Sequence, residues 1–135
     1  MSFEMLVAVG LGLIVIAVIA AVAVRLKPKR TRKSKFQSNW KELMQFCAHK
    51  ETWPTALTQA DDLLDMALKR RRYKGKNMGE RLVSAQRVFS DNDDIWFAHK
   101  LTTKVRDHPK SRLKEKDVKD ALVSMRQGLK DLDVL

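Results

Sequence analysis

The sequence has little cysteine, histidine, glycine or proline, and each shortage excludes a class of site. It contains one Cys, three His, five Gly and three Pro among 135 residues. The single Cys47 excludes an intramolecular disulfide, and no pair of His or Cys residues has the spacing of zinc ligands. There is no glycine-rich phosphate loop, and Ser90–Asp94 lacks the glycine and the closing Glu of a calcium loop. We therefore expect neither a bound metal nor a cofactor.

The sequence also lacks the alternation of apolar and polar residues that is typical of strands. Apolar residues instead recur every three or four positions, which is the period of a helix. We expect Thr52 to cap one helix, and Asn77 with Glu80 to form a capping box at the start of the next. The predicted fold is all-α, a single N-terminal transmembrane helix followed by a compact bundle of about five helices. The five are about Phe36–Ala48, about Trp53–Arg70, a short third helix to about Phe89, a fourth to about Arg106, and about Glu115–Leu132.

One long apolar segment, Met5–Val24, contains no charged residue. At about 1.5 Å per residue, a helix of this length spans about 30 Å, the thickness of the hydrocarbon core of a bilayer. A cleaved secretory signal is the alternative, because Ala21-Val22-Ala23 resembles a cleavage site. However, no Lys or Arg precedes the segment, and signal cores are shorter, roughly 7–15 residues. The sequence thus predicts a membrane anchor (residues 1–24), a basic linker (25–35) and a helical domain (36–135).

A basic cluster of Lys and Arg follows the apolar segment at once. Because cations near a span stay on the cytoplasmic side, the cluster predicts an inner-membrane protein with its N-terminus outside and its C-terminal domain in the cytoplasm. The same cations suit anionic lipid headgroups, which we expect as partners. Nucleic acid is the alternative partner, but this cluster accounts for more than half of the net charge of +11, and the membrane explains its position. Its members are Arg25, Lys27, Lys29, Arg30, Arg32, Lys33 and Lys35.

The predicted second helix carries a group of aspartates. Asp62 and Asp65 flank its apolar stripe, with Asp61 beside them. Paired carboxylates can do acid–base or metal chemistry. They can equally form a structural ion pair with a cation of the next helix, and Arg81 is the expected partner.

A second group of candidate residues lies on and after the predicted fourth helix. Trp96 and His99 are neighbours on one face, Arg106 falls two turns beyond His99, and His108 follows the helix. An aromatic ring, an imidazole and a guanidinium on one face could bind phosphate or RNA. The alternative is that Trp96 and His99 pack at a seam between helices, where the ring nitrogen finds a local partner.

Four stretches of the predicted domain carry a resemblance: Ala60–Lys69, Met78–Leu82, Trp96–Leu101 and Ala121–Leu132. Together they resemble small uncharacterised membrane-anchored helical proteins of candidate-phylum bacteria such as Saccharibacteria. In that group an Arg-x4-His pattern follows the third of these stretches, and it is similar to the signature of HEPN domains. HEPN domains are helical bundles that often act as metal-independent ribonucleases, so the resemblance implies RNA as a substrate class.

This chain departs from the Arg-x4-His pattern at each of its positions. Thr102 replaces the Arg, Thr103 the Asn that follows it, and Asp107 the His, while His108 comes one residue late. We therefore expect no catalytic residue and no enzyme. The expected function is a single-pass, membrane-anchored helical interaction module with an unidentified protein partner. A degenerate HEPN-like RNA-binding or ribonuclease domain and an anionic-lipid-binding surface domain remain alternatives.

Overall fold

The computed structural model describes the backbone of residues 2–135 and the side chains of residues 2–22 and 33–135. The described chain contains helices and no strand, so the all-α prediction is confirmed. By their contacts, the residues divide into two units, Met1–Ser34 and Lys35–Leu135. The helices are α1 Phe3–Leu43, α2 Trp53–Arg70, α3 Met78–Ser84, α4 Asn92–Asp107 and α5 Glu115–Asp131, with 3₁₀ turns at Met44–Cys47 and Lys50–Thr52.

The first unit contains the apolar part of α1. Phe3–Val22 is long and apolar enough to cross a membrane, a property that a signal sequence shares. Its large apolar side chains, among them Leu13 and Ile16, are exposed. The helical backbone satisfies its own polar groups, so such a surface is suited to lipid.

The second unit is built around α2. Helices α3, α4 and α5 all pack on it. Its apolar residues recur at helical spacing, and burying each leucine side chain contributes about 1.5–3 kcal/mol. The apolar residues of α2 with the least exposed side chains are Ala56, Leu57, Ala60, Leu64, Ala67 and Leu68.

Helix α4 runs antiparallel to α2. His99, near the middle of α4, contacts Asp61, and Arg106, near its end, reaches back to the carbonyl of Thr58. Residue numbers therefore rise in opposite directions along the two helices. This pairing brings polar side chains of α2 and α4 together on one side of the unit.

The C-terminal ends of α2 and α5 meet where α1 enters the second unit. The guanidinium of Arg70 lies 5.5 Å from the centre of the Phe36 ring. Arg71 donates through Nε to the carbonyl of Leu132, just past the end of α5, at 2.8 Å. A cation at the carboxyl end of a helix is favourable for the helix dipole. We call this end of the unit the entry end.

Two predicted helix starts differ in outcome. Asn77 caps α3, since its Oδ1 accepts from the Glu80 N–H at 2.9 Å. The Glu80 carboxylate accepts a hydrogen bond from the N–H of Lys76. A capping box would use the N–H of the cap residue Asn77, one position later. Thr52 stands at the N-cap position of α2 as predicted, but its hydroxyl donates to the Phe46 carbonyl at 2.6 Å and makes no capping bond to α2. Thr52 ends a 3₁₀ turn, so its hydroxyl points back along the chain.

Two predicted helix ends are also wrong. The helix expected over Phe36–Ala48 is the last part of α1, which ends at Leu43 and gives way to the 3₁₀ turn Met44–Cys47. A 3₁₀ turn advances about 120° per residue, so it rotates the following side chains off the predicted apolar stripe. Helix α3 ends at Ser84 and not near Phe89, although Phe89 is buried as expected.

Candidate functional site

A polar network centred on Asp61 joins α2 to α4. The Asp61 side chain is 1% exposed. His99 Nδ1 lies 3.0 Å from one carboxylate oxygen, and Arg106 donates through Nη1 to the other at 2.9 Å. Arg106 Nη2 also donates to Asp62 at 2.6 Å and to the Thr58 carbonyl at 3.2 Å. Both oxygens of Asp61 are therefore hydrogen-bonded, which is the condition for burying a carboxylate.

His99 is oriented by its two neighbours. Asp61 forms a hydrogen bond with Nδ1 of the ring. The Trp96 ring packs against the imidazole edge to face, with the ring centroids 6.0 Å apart. The other nitrogen, Nε2, makes no hydrogen bond to the described residues and is not enclosed.

The charge around Arg106 does not favour phosphate. Two carboxylates, Asp61 and Asp62, bind this single guanidinium, whose side chain remains 39% exposed. A phosphate would have to displace one carboxylate and would meet the other at short range, where like charges repel. Arg106 is therefore a structural link between α2 and α4.

The predicted binding face of Trp96, His99, Arg106 and His108 is thus only partly assembled. The first three share the Asp61 network. His108 does not join them: it follows the end of α4, where the helix no longer fixes its direction, and it is exposed. Thr102, at the position of the Arg in the resembled pattern, is buried, and its hydroxyl donates to the Ala98 carbonyl.

The predicted ion pair between α2 and α3 uses one aspartate and not two. Arg81 donates to both oxygens of Asp65, at 2.6 and 2.9 Å, and to the Gly75 carbonyl. Asp62 pairs instead with Arg106 of α4, so its assignment to Arg81 is wrong. These two aspartates are three residues apart, and the fold presents them to different neighbouring helices.

Burial and pairing with Arg81 shift the pKa of Asp65 in opposite directions. The carboxyl is 19% exposed and the Arg81 side chain is 10% exposed. Burial alone would raise the pKa of Asp65, but the hydrogen bonds and charge of Arg81, with a smaller contribution from Lys69, hold that pKa below its ordinary value. Hydrogen bonding to Asp65 in turn raises the pKa of Arg81. Both groups are therefore ionised at neutral pH.

Comparison with known proteins assigns no role to these residues. No family model, curated protein or solved structure matches the chain. The resemblance of Ala60–Lys69 and Trp96–Leu101 to membrane-anchored helical proteins stays a prediction. Among the described residues, no three His, Cys, Asp or Glu side chains are grouped so as to hold a metal ion.

An apolar groove, which sequence reasoning missed, lies between the end of α1, the start of α2 and α5. Its volume is about 350 Å³, and it is open to solvent. Trp53 is fixed there, since its indole N–H donates to the Cys47 carbonyl at 3.0 Å. Trp40 and Trp53 are visible in the sequence, but the 3₁₀ turn Met44–Cys47 between them, which shapes the groove, was not predicted. Its lining residues are Trp40, Met44, Cys47, Trp53, Glu115, Val118, Lys119, Leu122, Val123 and Arg126.

Cys47 belongs to the wall of this groove, where it is partly buried and packs against the core. Burial raises the pKa of its thiol. A thiol with a raised pKa is a weak nucleophile at neutral pH. Cys47 therefore contributes to the shape and polarity of the groove.

The basic cluster lies mostly outside the described side chains. Lys33 and Lys35 are described, and both are exposed. A second run of cations, in the loop after α2, was not selected from the sequence although it is as dense as the first. The five members of the cluster outside the described side chains are Arg25, Lys27, Lys29, Arg30 and Arg32.

Proposed function

We propose that this protein is a single-pass membrane protein whose cytoplasmic helical unit binds a partner protein and catalyses no reaction. The apolar helix Phe3–Val22 supports the anchor, and the cations after it support an inner-membrane location with the N-terminus outside. Neutralisation of Arg106 by two carboxylates supports a role without catalysis.

The apolar groove is the observation that carries this proposal. Tryptophan and methionine are enriched in protein interfaces, and Trp40, Met44 and Trp53 occur together there. We infer that the occupant is the apolar face of an amphipathic helix in another protein. Lys119 and Arg126 exceed the single acid Glu115 among the lining residues, so acidic residues should flank that apolar face.

Membrane placement is tested by protease digestion of spheroplasts. The helical unit should resist digestion in intact spheroplasts and be cleaved once they are permeabilised. The mature protein should keep its first 24 residues, which mass spectrometry of the N-terminus would show. Digestion from outside would contradict the orientation, and loss of those residues would identify a cleaved signal.

Occupancy of the groove is tested with a photoreactive amino acid at Val123, which lines the groove and is 62% exposed. Exposed Val83 of α3, away from the groove, is the control position. We expect a crosslink from Val123 alone, onto a segment with apolar residues at helical spacing and flanking acids. A crosslinked segment without that pattern, or equal crosslinking from Val83, would contradict the proposal. Crosslinks to a second copy of this chain would mean that the groove is occupied in a homodimer and not by another protein.

Ribonuclease activity has no support from the placement of Arg106 and His108. We expect purified protein to leave a labelled RNA intact. Cleavage that disappears in the variant Arg106→Ala, His108→Ala would contradict this expectation.

A further inference from the structure

The end of α2 and the loop after it carry the densest run of cations in the second unit. Lys69–Lys76 contains six Lys and Arg and no acid. Two of the six are engaged in the fold: Arg71 holds the end of α5, and Arg70 covers the Phe36 ring. Lys69 lies 3.5 Å from Asp65. The remaining three are exposed and form the group that we call the loop cations, Arg72, Lys74 and Lys76.

The backbone holds this loop in a defined shape. The Tyr73 N–H bonds to the Leu68 carbonyl, and the Arg72 N–H to the Lys69 carbonyl. This pair of bonds is a Schellman motif, which ends a helix with one residue in the left-handed region. Gly75 extends the fixed part, because a Cβ there would lie 2.7 Å from the backbone nitrogen of Arg81. The loop cations therefore project from an ordered backbone.

Arg72 occupies the left-handed position, with φ of 64°. Glycine is the usual residue at this position because it has no Cβ to strain. No ion pair or side-chain hydrogen bond to the described residues compensates Arg72 for that strain. The same left-handed conformation occurs at Asp133, just past the end of α5, so in both places a residue other than glycine takes this conformation where a helix ends.

The loop lies at the entry end of the second unit. Arg70, at its start, covers Phe36, and Phe36 directly follows Lys35, the last residue of the basic cluster. Along the chain, the loop cations are thus presented at the end of the unit that continues toward the apolar segment. The anchor of the proposed function would keep a bilayer surface at high effective concentration near them.

We propose that the loop cations bind the anionic headgroups of the bilayer in which the protein is anchored, as a second contact between the helical unit and the membrane. This rests on the membrane anchor of the proposed function. Each cation near an anionic surface raises the ratio of bound to detached units about fivefold, so three raise it about a hundredfold. Nucleic acid fits the loop less well, since its one aromatic residue, Tyr73, is partly buried against the core, which leaves less of its ring for stacking a base.

The test uses the full chain in nanodiscs of phosphatidylcholine, with or without phosphatidylglycerol, that contain a headgroup-labelled acceptor lipid. A donor dye is placed in a Cys47→Ala background at Val88, at the entry end, or at Glu51, at the other end of the unit. We expect stronger transfer from Val88 than from Glu51 in anionic discs. That difference should fall in neutral discs and at high salt, because salt screens exposed charges.

The deciding variant is Arg72→Gln, Lys74→Gln, Lys76→Gln. It should lose the extra transfer from Val88 in anionic discs. The matched control, which removes the same charge at the other end, should keep it; this control is Lys104→Gln, Lys110→Gln, Arg112→Gln. Circular dichroism should be the same for both.

Three outcomes would overturn the inference, and they are distinguishable. Failure of the protein to co-elute with discs removes the proposed anchor as well. If the protein co-elutes with discs but energy transfer from Val88 falls equally in the loop variant and the control variant, or falls in neither, only the loop contact is contradicted. If the loop variant leaves transfer unchanged but abolishes binding of a short labelled RNA, the loop is a nucleic-acid site.

Discussion

Replacing Arg81 with methionine tests the ion pair that ties α3 to α2. Methionine keeps most of the buried aliphatic length but leaves the mostly buried Asp65 without its two hydrogen bonds. Hydrogen bonds between charged groups contribute about 1.5–3 kcal/mol, and breaking a buried pair costs up to about 5 kcal/mol. Both groups retain some exposure, so we expect a loss of about 3 kcal/mol at pH 7. In a domain of this size, each kcal/mol lowers Tm by about 4–8 °C, so the expected decrease is about 12–24 °C.

The pH dependence separates the ion pair from simple packing. Arg81 lowers the pKa of Asp65, so in the unchanged protein this carboxylate contributes stability above its unfolded pKa of about 3.9. That contribution disappears as the pH falls through the lower folded pKa. Without Arg81, burial raises the pKa of Asp65. As the pH falls, the carboxylate of the variant is therefore protonated, which removes the destabilisation caused by a buried and unpaired charge. The difference in Tm between the two proteins should therefore narrow below about pH 4.

Trp40, Trp53 and Trp96 all lie in the second unit, so tryptophan fluorescence in detergent micelles follows its unfolding. Arg87→Met is the matched control: Arg87 is exposed, and we expect a change of no more than about 0.5 kcal/mol. If Arg81→Met lowers Tm as much at pH 3 as at pH 7, or no more than Arg87→Met does, the ion pair does not stabilise the unit.

Three further changes test the packing, the polar network and the loop. Asp61→Leu should lower the free energy of unfolding in urea by about 3–5 kcal/mol, because it leaves groups of His99 and Arg106 without their partner. Asp61→Asn should lower it by only about 1–2 kcal/mol, and equal losses in the two variants would contradict the network. A Cβ at Gly128 would lie 2.6 Å from Ile95 Cδ1, so Gly128→Ala should destabilise by about 1–3 kcal/mol. Adding Ile95→Val removes that atom and should recover about 1 kcal/mol, while strictly additive losses would argue against the contact. Arg72→Gly should raise the free energy of unfolding by about 0.5–1 kcal/mol, since it relieves the left-handed backbone; a decrease would mean that this residue is not strained.

The bounds of α2 and α5 could be predicted because their signals are local. Each has an apolar stripe at helical spacing, and a break in the pattern lies on either side. The end of α1 could not be predicted in this way. It depends on the Trp53 indole bonding the Cys47 carbonyl and on the Thr52 hydroxyl bonding the Phe46 carbonyl, and both contacts need the chain to have turned already. The apolar groove was missed for the same reason.

The candidate residues show a similar division. The partners Asp65 and Arg81 follow from adjacent helices, where few arrangements are possible. The partners of Arg106 depend on how α4 is rotated against α2, which the spacing within α4 does not determine. The six cations of Lys69–Lys76 were visible in the sequence, but a charged loop is usually only solvated. Its importance depends on the φ of Arg72 and on the contact between Arg70 and Phe36.

The cations of the helical unit fall into two classes that experiments can separate. Arg81 and Arg106 are bound by carboxylates between helices, so their charge is used within the fold. The side chains of the loop cations are exposed, so their charge faces solvent. A change at Arg81 should lower stability in any lipid. Neutralising the loop cations should leave stability unchanged or slightly higher and alter only the response to anionic lipid, because cations crowded into one loop repel each other. Loss of stability in the loop variant would mean that these charges also serve the fold.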